Sequence, residues 1–109
     1  MNHVYLLESL QDKSWYIGFT PNSPFERLIV HNSGTEYYTK RKTPWKLIYY
    51  EAYVSREDAT GREKFLKSGS GRTFLKKQLR NYLCLPSSSK TTIIGLPRES
   101  EAIIRGPIV

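Results

Sequence analysis

Residues 45–54 constrain the fold more than any other stretch, because they read as a β-strand with two apolar faces. Side chains alternate across a strand, and the two faces would carry Leu47, Tyr49 and Tyr53 on one side and Ile48, Tyr50, Ala52 and Val54 on the other. A strand that is apolar on both faces is typical of a sheet covered on both sides. We therefore expect this strand at the centre of the sheet, with Glu51 marking its exposed end.

A β-hairpin is predicted at the start of the chain. Aromatic and β-branched residues fill positions 4–7 and 15–20, and polar residues occupy 11–14 between them. If the two strands pair, Tyr5 and Tyr16 fall on one face of the sheet, together with Gly18. A glycine inside a strand often marks a close approach by a ligand or by another backbone.

The residues around position 24 predict a helix over Pro24–Asn32. Ser23 is a favourable N-cap, Pro24 suits the first helical position and Glu26 completes a capping box. Gly34 lies where a glycine is expected after a helix C-terminus. Apolar residues recur at helical spacing within this segment, which predicts a face packed against the sheet.

Arg27 and His31 are four residues apart on this predicted helix and therefore stack on one side of it. A guanidinium beside an imidazole suits joint recognition of a phosphate. The alternative interpretation is a solvated polar face.

A second helix is predicted after the cap signature at residues 55–58. Glu63 lies four residues after Ala59 and three before Leu66, so we expect it to point toward the packed face. A carboxylate there is costly unless a metal ion or an arginine pairs with it. The alternative is an ordinary surface pair with Lys67.

Glycines lie at several positions in the helical half of the chain, and each has an expected structural effect. Gly61 is expected to permit close packing in the middle of the second helix, where it costs helix propensity. Residues 68–71 are predicted to break that helix, and a third helix is predicted over residues 73–83.

The charge of the chain points to a polyanionic partner. Its 109 residues suggest one domain, and the formal net charge is +7 with a sequence pI near 9.6. Six cations are candidates for phosphate contacts: Lys40, Arg41, Lys42, Lys76, Lys77 and Arg80. The first three are interleaved with aromatic rings that would stack on bases, the alternative being a basic loop whose aromatics enter the core.

Several classes of protein are disfavoured. Cys84 is the single cysteine, so no internal disulfide forms, and no Cys/His pair has zinc-site spacing. A signal segment and a long apolar run are both absent, which predicts a cytoplasmic protein with no membrane partner. We expect a single domain over residues 1–85 and a flexible tail over residues 86–109, which follows a Pro/Ser-rich linker.

Residues 3–5 and 16–18 resemble the paired signatures of the GIY-YIG nuclease superfamily. The second triplet, Tyr16-Ile17-Gly18, matches in full, and the first matches only at Tyr5. Members of that family carry an arginine and a histidine on the helix after the second strand, and a glutamate on the next helix. Arg27, His31 and Glu63 occupy those places, and the resemblance covers residues 3 to about 83.

The sequence around the second triplet is closer to some branches of that family than to others. Residues 16–20 look more like the branched-DNA-cutting and small stand-alone bacterial branches than the excinuclease C subunit. The latter usually has lysine after the glycine, where this chain has Phe19. This departure leaves the substrate open.

The fold expected from the elements is mixed α/β, of the α+β type: a small three-stranded antiparallel sheet flanked by helices. The resemblance implies a metal-dependent endonuclease of DNA, with a role in DNA repair. Glu63 would be the sole protein ligand of Mg²⁺ or Mn²⁺, and Arg27 would hold the phosphate. One tyrosine, with Tyr5 preferred, would take the proton from water, while Tyr16 and His31 assist.

Alternatives from other classes stay open. One is a nucleic-acid-binding module without catalysis, and another is an adaptor that uses its tail to bind a partner. The substrate is expected to be DNA, and branched or otherwise structured DNA is one alternative. RNA is the other alternative. Homo-oligomerisation and a protein partner are left undecided by the sequence.

Overall fold

The computed structural model describes residues 1–86, which form a three-stranded sheet packed between helices. The elements in chain order are β1 (Asn2–Ser9), β2 (Trp15–Thr20), α1 (Pro24–Asn32), β3 (Trp45–Tyr53), α2 (Arg56–Leu66), α3 (Gly69–Gln78) and α4 (Arg80–Cys84). A short 3-10 turn, Lys40–Lys42, precedes β3. The predicted tail lies outside the described residues, apart from Pro86.

The sheet is antiparallel with strand order β2-β1-β3, so β1 is its central strand. The expected mixed α/β fold with a three-stranded antiparallel sheet is confirmed. The expectation that residues 45–54 form the central strand is wrong, because β3 lies at the edge. Helices cover both faces of β3, which accounts for its apolar side chains on both faces. Whether a strand is central or at the edge depends instead on how many strands hydrogen-bond to it.

A β-bulge interrupts the pairing of β1 with β3. Leu6 lies opposite Tyr49 while Leu7 lies opposite Leu47, so the register shifts between Leu6 and Leu7. Leu47 therefore packs on the Tyr5 face of the sheet and Tyr49 on the other. The alternation predicted for the strand fails at this point because a bulge inserts one extra residue.

Each face of the sheet has its own apolar cluster. On one face, Leu28 of α1 packs against Tyr5, Leu7 and Trp45. On the opposite face, the helices α2 and α3 contribute a buried set that packs against β1, β2 and β3: Ala59, Leu66 and Leu75 against Val4, Leu6, Ile17 and Tyr49. Burial of these side chains stabilises the fold by roughly 1.5–3 kcal/mol for each large aliphatic residue.

The predicted starts of the first two helices are confirmed. The Ser23 hydroxyl accepts a hydrogen bond from the Phe25 N–H at 3.1 Å, and α1 has the predicted bounds. The Ser55 hydroxyl accepts from the Asp58 N–H at 3.3 Å at the start of α2. Gly34 follows α1 with φ +80°, the left-handed conformation that glycine adopts without strain.

The junction between α2 and α3 differs from the prediction. Ser68 is an N-cap whose hydroxyl accepts from the Gly71 N–H at 3.1 Å, so α3 begins at Gly69 and not at Thr73. A methyl group on Gly71 would overlap the backbone of Phe65 in α2. Close helix packing therefore depends on Gly71, while the position of Gly61 opens to free space and the expectation for it is wrong.

The helices described, which end at Cys84, include none with the length and apolar character needed to cross a bilayer.

Candidate active site

Tyr5 lies at the centre of the candidate site. It is buried on the central strand, with 2% of its surface exposed, and pairs across the hairpin with Gly18. A methyl group on Gly18 would overlap Cζ and the hydroxyl oxygen of Tyr5. The bare backbone at Gly18 therefore accommodates the Tyr5 ring. The close approach is made by a side chain, whereas the sequence predicted a ligand or another backbone.

Tyr16 of β2 lies on the same face of the sheet as Tyr5, as the alternation predicts. Its cross-strand partner is Leu7 of β1, which lies two residues after Tyr5 and therefore on the same face. The ring centroids of Tyr5 and Tyr16 are 6.4 Å apart. The Tyr16 ring also lies 4.8 Å from the ring of His31, which α1 presents to this face. The three rings form one contiguous cluster, and Tyr16 remains partly exposed at its edge.

His31 is hydrogen-bonded at both ring nitrogens. Its Nε2 lies 3.0 Å from the Tyr5 hydroxyl, and its Nδ1 lies 2.9 Å from the Thr39 hydroxyl. Burial lowers the pKa of His31 to about 4, and the charge of nearby Arg27 acts in the same direction. The imidazole is therefore neutral at pH 7, with one nitrogen as donor and the other as acceptor.

The phenol of Tyr5 is held in its protonated form. Burial raises its pKa to about 12, although hydrogen bonding from the Arg27 guanidinium opposes the shift. The charge of Arg27 also acts in favour of the phenolate. Loss of hydration is the larger effect, so a free phenolate is disfavoured in the unliganded protein.

Arg27 lies between Tyr5 and an acidic partner. One of its Nη atoms lies 2.9 Å from a carboxylate oxygen of Glu36, and 31% of its side-chain surface is exposed. Hydrogen bonding with Tyr5, and then with Glu36, raises the pKa of Arg27. The guanidinium is permanently charged and reachable from solvent, which suits phosphate binding.

Glu63 lies apart from this cluster. Its helix, α2, packs on the face of the sheet opposite Tyr5 and Tyr16. The carboxylate is 22% exposed and lies 3.0 Å from the Lys67 ammonium, which is the surface pair considered as the alternative. Within residues 1–86, no three His, Cys, Asp or Glu side chains are grouped to hold a metal ion.

Arg62, the neighbour of Glu63, fixes α2 to the edge strand. Its Nε and Nη atoms donate to the two carboxylate oxygens of Glu51 at 2.9 and 3.0 Å. Glu51 is 6% exposed and also accepts from the hydroxyls of Tyr49 and Tyr53. These hydrogen bonds lower the pKa of Glu51 although burial opposes ionisation. The prediction that Glu51 marks an exposed strand end is therefore wrong.

The six predicted phosphate-binding cations fall on two separate surfaces. Residues 40–42 follow directly after Thr39, beside the His31 cluster, where Lys42 also lies 3.3 Å from Asp12. The other three, Lys76, Lys77 and Arg80, are exposed on α3 and α4. Because α3 packs on the face opposite Tyr5, the structure does not bring the two groups together.

Three contacts of the site were not predicted from the sequence. Thr39 is 1% exposed and bonds to His31, yet it lies between exposed tyrosine and lysine residues, where nothing predicts burial. Glu36 holds Arg27 across nine positions, a spacing with no local signature. The Asn32 side chain brackets the backbone N–H and C=O of Trp45, at 2.6 and 2.9 Å. It thereby fixes α1 to the start of β3.

Comparison with known proteins identifies the family of the chain. The family model described as the GIY-YIG catalytic domain matches residues 1–80. A UPF0213 protein of Streptococcus pneumoniae serotype 4, strain TIGR4, is 42% identical over 66 residues, which cover 60% of this chain and 65% of that protein. The matched part thus spans slightly less than two thirds of that relative.

Two further relatives carry the same UPF0213 name. The protein from Clostridium perfringens strain 13 is 38% identical over 68 residues, covering 62% of this chain and 71% of its own. A solution NMR structure of the UPF0213 protein BH0048 from Bacillus halodurans is 35% identical. It covers 84% of this chain and 100% of its own, with a TM-score of 0.45.

Proposed function

Because the chain belongs to the GIY-YIG family, we propose that it is a divalent-metal-dependent endonuclease that hydrolyses phosphodiester bonds in DNA. The observation that carries the proposal is the hydrogen-bonded chain from Tyr5 through His31 to Thr39, with Arg27 beside the phenol. A module that only binds nucleic acid has no need of a buried phenol joined to a neutral imidazole.

The hydrogen-bonded chain supports a role for Tyr5 in proton transfer. When Nδ1–H of His31 donates to Thr39, Nε2 offers its lone pair to the Tyr5 hydroxyl. Tyr5 then accepts a proton from the attacking water while passing its own proton to His31. This concerted transfer avoids a free phenolate, which the raised pKa of Tyr5 disfavours. It places the positive charge on His31, whose lowered pKa opposes protonation, and the negative charge of a bound phosphate would offset that effect.

Arg27 is the proposed phosphate ligand. Its guanidinium adjoins Tyr5, so a phosphate held there lies next to the proposed base. Guanidinium groups bind phosphate oxygens through paired, charge-assisted hydrogen bonds. The same charge stabilises the extra negative charge that develops at phosphorus during attack by water. Tyr16, partly exposed beside His31, would orient the water or the phosphate.

Glu63 is proposed as the metal ligand. Mg²⁺ is commonly held by one or two carboxylates together with water and substrate phosphate, so one glutamate fits this requirement. Glu63 is accessible to an ion, and its partner Lys67 is 54% exposed and can leave at little cost. A bound Mg²⁺ or Mn²⁺ would supply Lewis-acid charge for the leaving oxygen.

The position of α2 allows Glu63 to serve this site from the other side of the sheet. α2 packs against β2, the edge strand that carries both Tyr16 and Gly18. The Tyr5 ring extends over Gly18 toward that same edge strand. We therefore propose that the scissile phosphate lies at the free edge of β2, where groups from both faces meet.

A binding module without catalysis is the second candidate, and the Glu63–Lys67 ion pair favours it. A cleavage assay separates the two functions. The full chain is incubated with duplex, nicked, flapped and branched DNA, and with RNA, in Mg²⁺, in Mn²⁺ and in chelator. Metal-dependent strand cleavage supports the nuclease, whereas binding without cleavage of any substrate in either metal would leave the binding module.

A further inference from the structure

Two neighbouring tyrosines stand out on the surface beside the candidate site. Tyr37 and Tyr38 leave 71% and 86% of their surface exposed, more than any other aromatic residue within residues 1–86. Their rings meet edge to face, with centroids 5.4 Å apart and an interplanar angle of 89°. We call these two residues the tyrosine pair. Tyrosine is enriched at binding interfaces, because its ring is apolar and its hydroxyl can stay in water.

The tyrosine pair is fixed directly to the proton-transfer chain. The next residue, Thr39, is buried and bonds to His31. Its carbonyl oxygen accepts from the Trp45 indole N–H at 3.0 Å, and its N–H donates to the carbonyl of Glu36 at 3.2 Å. Thr39 therefore contacts the candidate site, while Tyr38 beside it faces solvent. An anchored backbone lowers the entropy lost when the rings bind a ligand.

Cations lie near the pair, one of them in contact with a ring and the others close in sequence or through Glu36. The Lys40 ammonium lies 5.3 Å from the centroid of the Tyr37 ring, and Arg41 is exposed next to it. Arg27, the proposed phosphate ligand, is held by Glu36, which immediately precedes Tyr37. Ring faces flanked by cations match a nucleotide, whose base stacks and whose phosphate carries negative charge.

We propose that the tyrosine pair is a stacking platform for unpaired bases, and that the substrate is a nucleic acid with unpaired nucleotides beside the cleaved bond. The proposal rests on the proposed nuclease function and narrows its substrate class. The ring faces of bases inside a duplex are already stacked, so an exposed aromatic pair gains contact only where bases are free. Flaps, splayed arms and single-stranded gaps provide such bases.

The test compares three variants of the full chain. Tyr37→Ala with Tyr38→Ala removes both rings at exposed positions, where the thermal midpoint should stay unchanged. Tyr37→Phe with Tyr38→Phe keeps the rings and removes the hydroxyls. Arg41→Ala removes an exposed charge next to the pair and keeps both rings. The probes are a 2-aminopurine-labelled single strand and a hairpin duplex of the same sequence, both measured in chelator.

The alanine pair should weaken single-strand binding by roughly 5- to 150-fold for each stacked base. It should change duplex binding much less, and the phenylalanine pair should bind like the wild type. Arg41→Ala should weaken single strand and duplex alike, because it removes only a phosphate contact. Equal loss on both probes, or no loss on either, in the alanine pair would overturn the platform. The second outcome would show that the rings do not contact nucleic acid.

Different results would refute the stacking platform and the nuclease function. A wild-type protein that binds single strands through the tyrosine pair but cleaves nothing in Mg²⁺ or Mn²⁺ would refute the nuclease and keep the platform. A protein that cleaves flapped and fully paired DNA equally, with no change in the alanine pair, would refute the platform and keep the nuclease.

Discussion

The ring of Tyr5 lies against the backbone of Gly18, its partner across the hairpin, so that any side chain at position 18 would overlap the phenol. The two residues therefore act as one unit. Gly18 sets where the Tyr5 hydroxyl lies, and the hydroxyl in turn meets Nε2 of His31 at 3.0 Å. A residue with no side chain thus determines the geometry of the proposed base.

Gly18→Ala tests this relationship. The added methyl group must push the Tyr5 ring away, which should destabilise the fold by about 1–3 kcal/mol. Displacing a proton-transfer group by about 1 Å should lower cleavage on the order of 100-fold. Urea unfolding and single-turnover cleavage at a temperature where the variant is folded measure the two effects. Wild-type cleavage by a folded Gly18→Ala protein would show that the Tyr5 position is not critical.

The burial of His31 predicts a pH dependence of stability. Its pKa is about 4 in the folded protein, against about 6.5 for an exposed histidine. Between these values the unfolded chain binds more protons, so stability is fully present above about pH 6.5 and falls as the pH drops toward 4. At pH 5 the loss from this residue is on the order of 2 kcal/mol.

Other groups titrate in the same range, so the comparison uses variants. Urea midpoints at pH 7 and pH 5 should differ less for His31→Gln than for the wild type. His3→Gln removes the other histidine and should keep the wild-type difference. Equal pH dependence in all three proteins would contradict a buried, neutral His31.

Glu63→Gln tests the proposed metal ligand. Cleavage should fall by roughly 100-fold or more, because the proposed ion is no longer held and its charge is missing at the leaving oxygen. Stability should fall by only a few tenths of a kcal/mol, which is the usual contribution of an exposed pair such as Glu63 with Lys67. DNA binding should persist, because a negative charge near phosphate is removed.

A matched control for this variant lies on the same helix. Glu57 is an exposed acid in the first turn of α2, and Glu57→Gln should keep both cleavage and Mn²⁺ binding. Titration calorimetry with Mn²⁺, cleavage rates and thermal midpoints distinguish the variants. A well-folded Glu63→Gln protein with full activity would eliminate Glu63 as the metal ligand.

Arg27 and Glu36 should give opposite effects on DNA affinity, although they form one ion pair. Arg27→Ala removes the proposed phosphate ligand and should lower cleavage by about 100- to 1000-fold without changing Mn²⁺ affinity. Glu36→Gln frees the guanidinium and should tighten DNA binding severalfold, because a competing carboxylate charge is lost. Arg27→Ala should also weaken DNA binding, because a phosphate contact is lost. Fluorescence anisotropy in chelator measures the DNA affinity of both variants, and cleavage assays and titration calorimetry with Mn²⁺ measure the other effects. Weaker binding by Glu36→Gln would show that Glu36 orients Arg27 for the phosphate.

Two glycines of the helical half should respond in opposite directions to alanine. Gly61 lies inside α2, and an added methyl group there meets no neighbour, so Gly61→Ala should stabilise the protein by about 1 kcal/mol. Gly71→Ala would overlap the carbonyl of Phe65 and separate α3 from α2, which should cost at least about 1–3 kcal/mol. Urea unfolding of the two variants would check both signs.

Much of the fold follows from local signals. The caps at Ser23 and Ser55, the bounds of α1 and the shared face of Tyr5 and Tyr16 were all predicted. The caps depend on hydrogen bonds between residues a few positions apart, and the shared face depends on the two-residue repeat of a strand. Both patterns are visible in the sequence. The resemblance at Tyr16, Gly18 and Arg27 likewise pointed to the family that the comparison shows.

Long-range pairing decided the rest. The apolar faces of β3 show that helices cover it, but β1 is central only because it pairs with β3, far along the chain, as well as with its hairpin partner β2. The bulge opposite Leu6 and Leu7 moved Leu47 to the other face. The roles of Thr39, Glu36 and Glu51 come from partners 8 to 11 residues away in other elements. Only tertiary packing brings such groups within hydrogen-bonding distance, because no helical or strand repeat relates their positions.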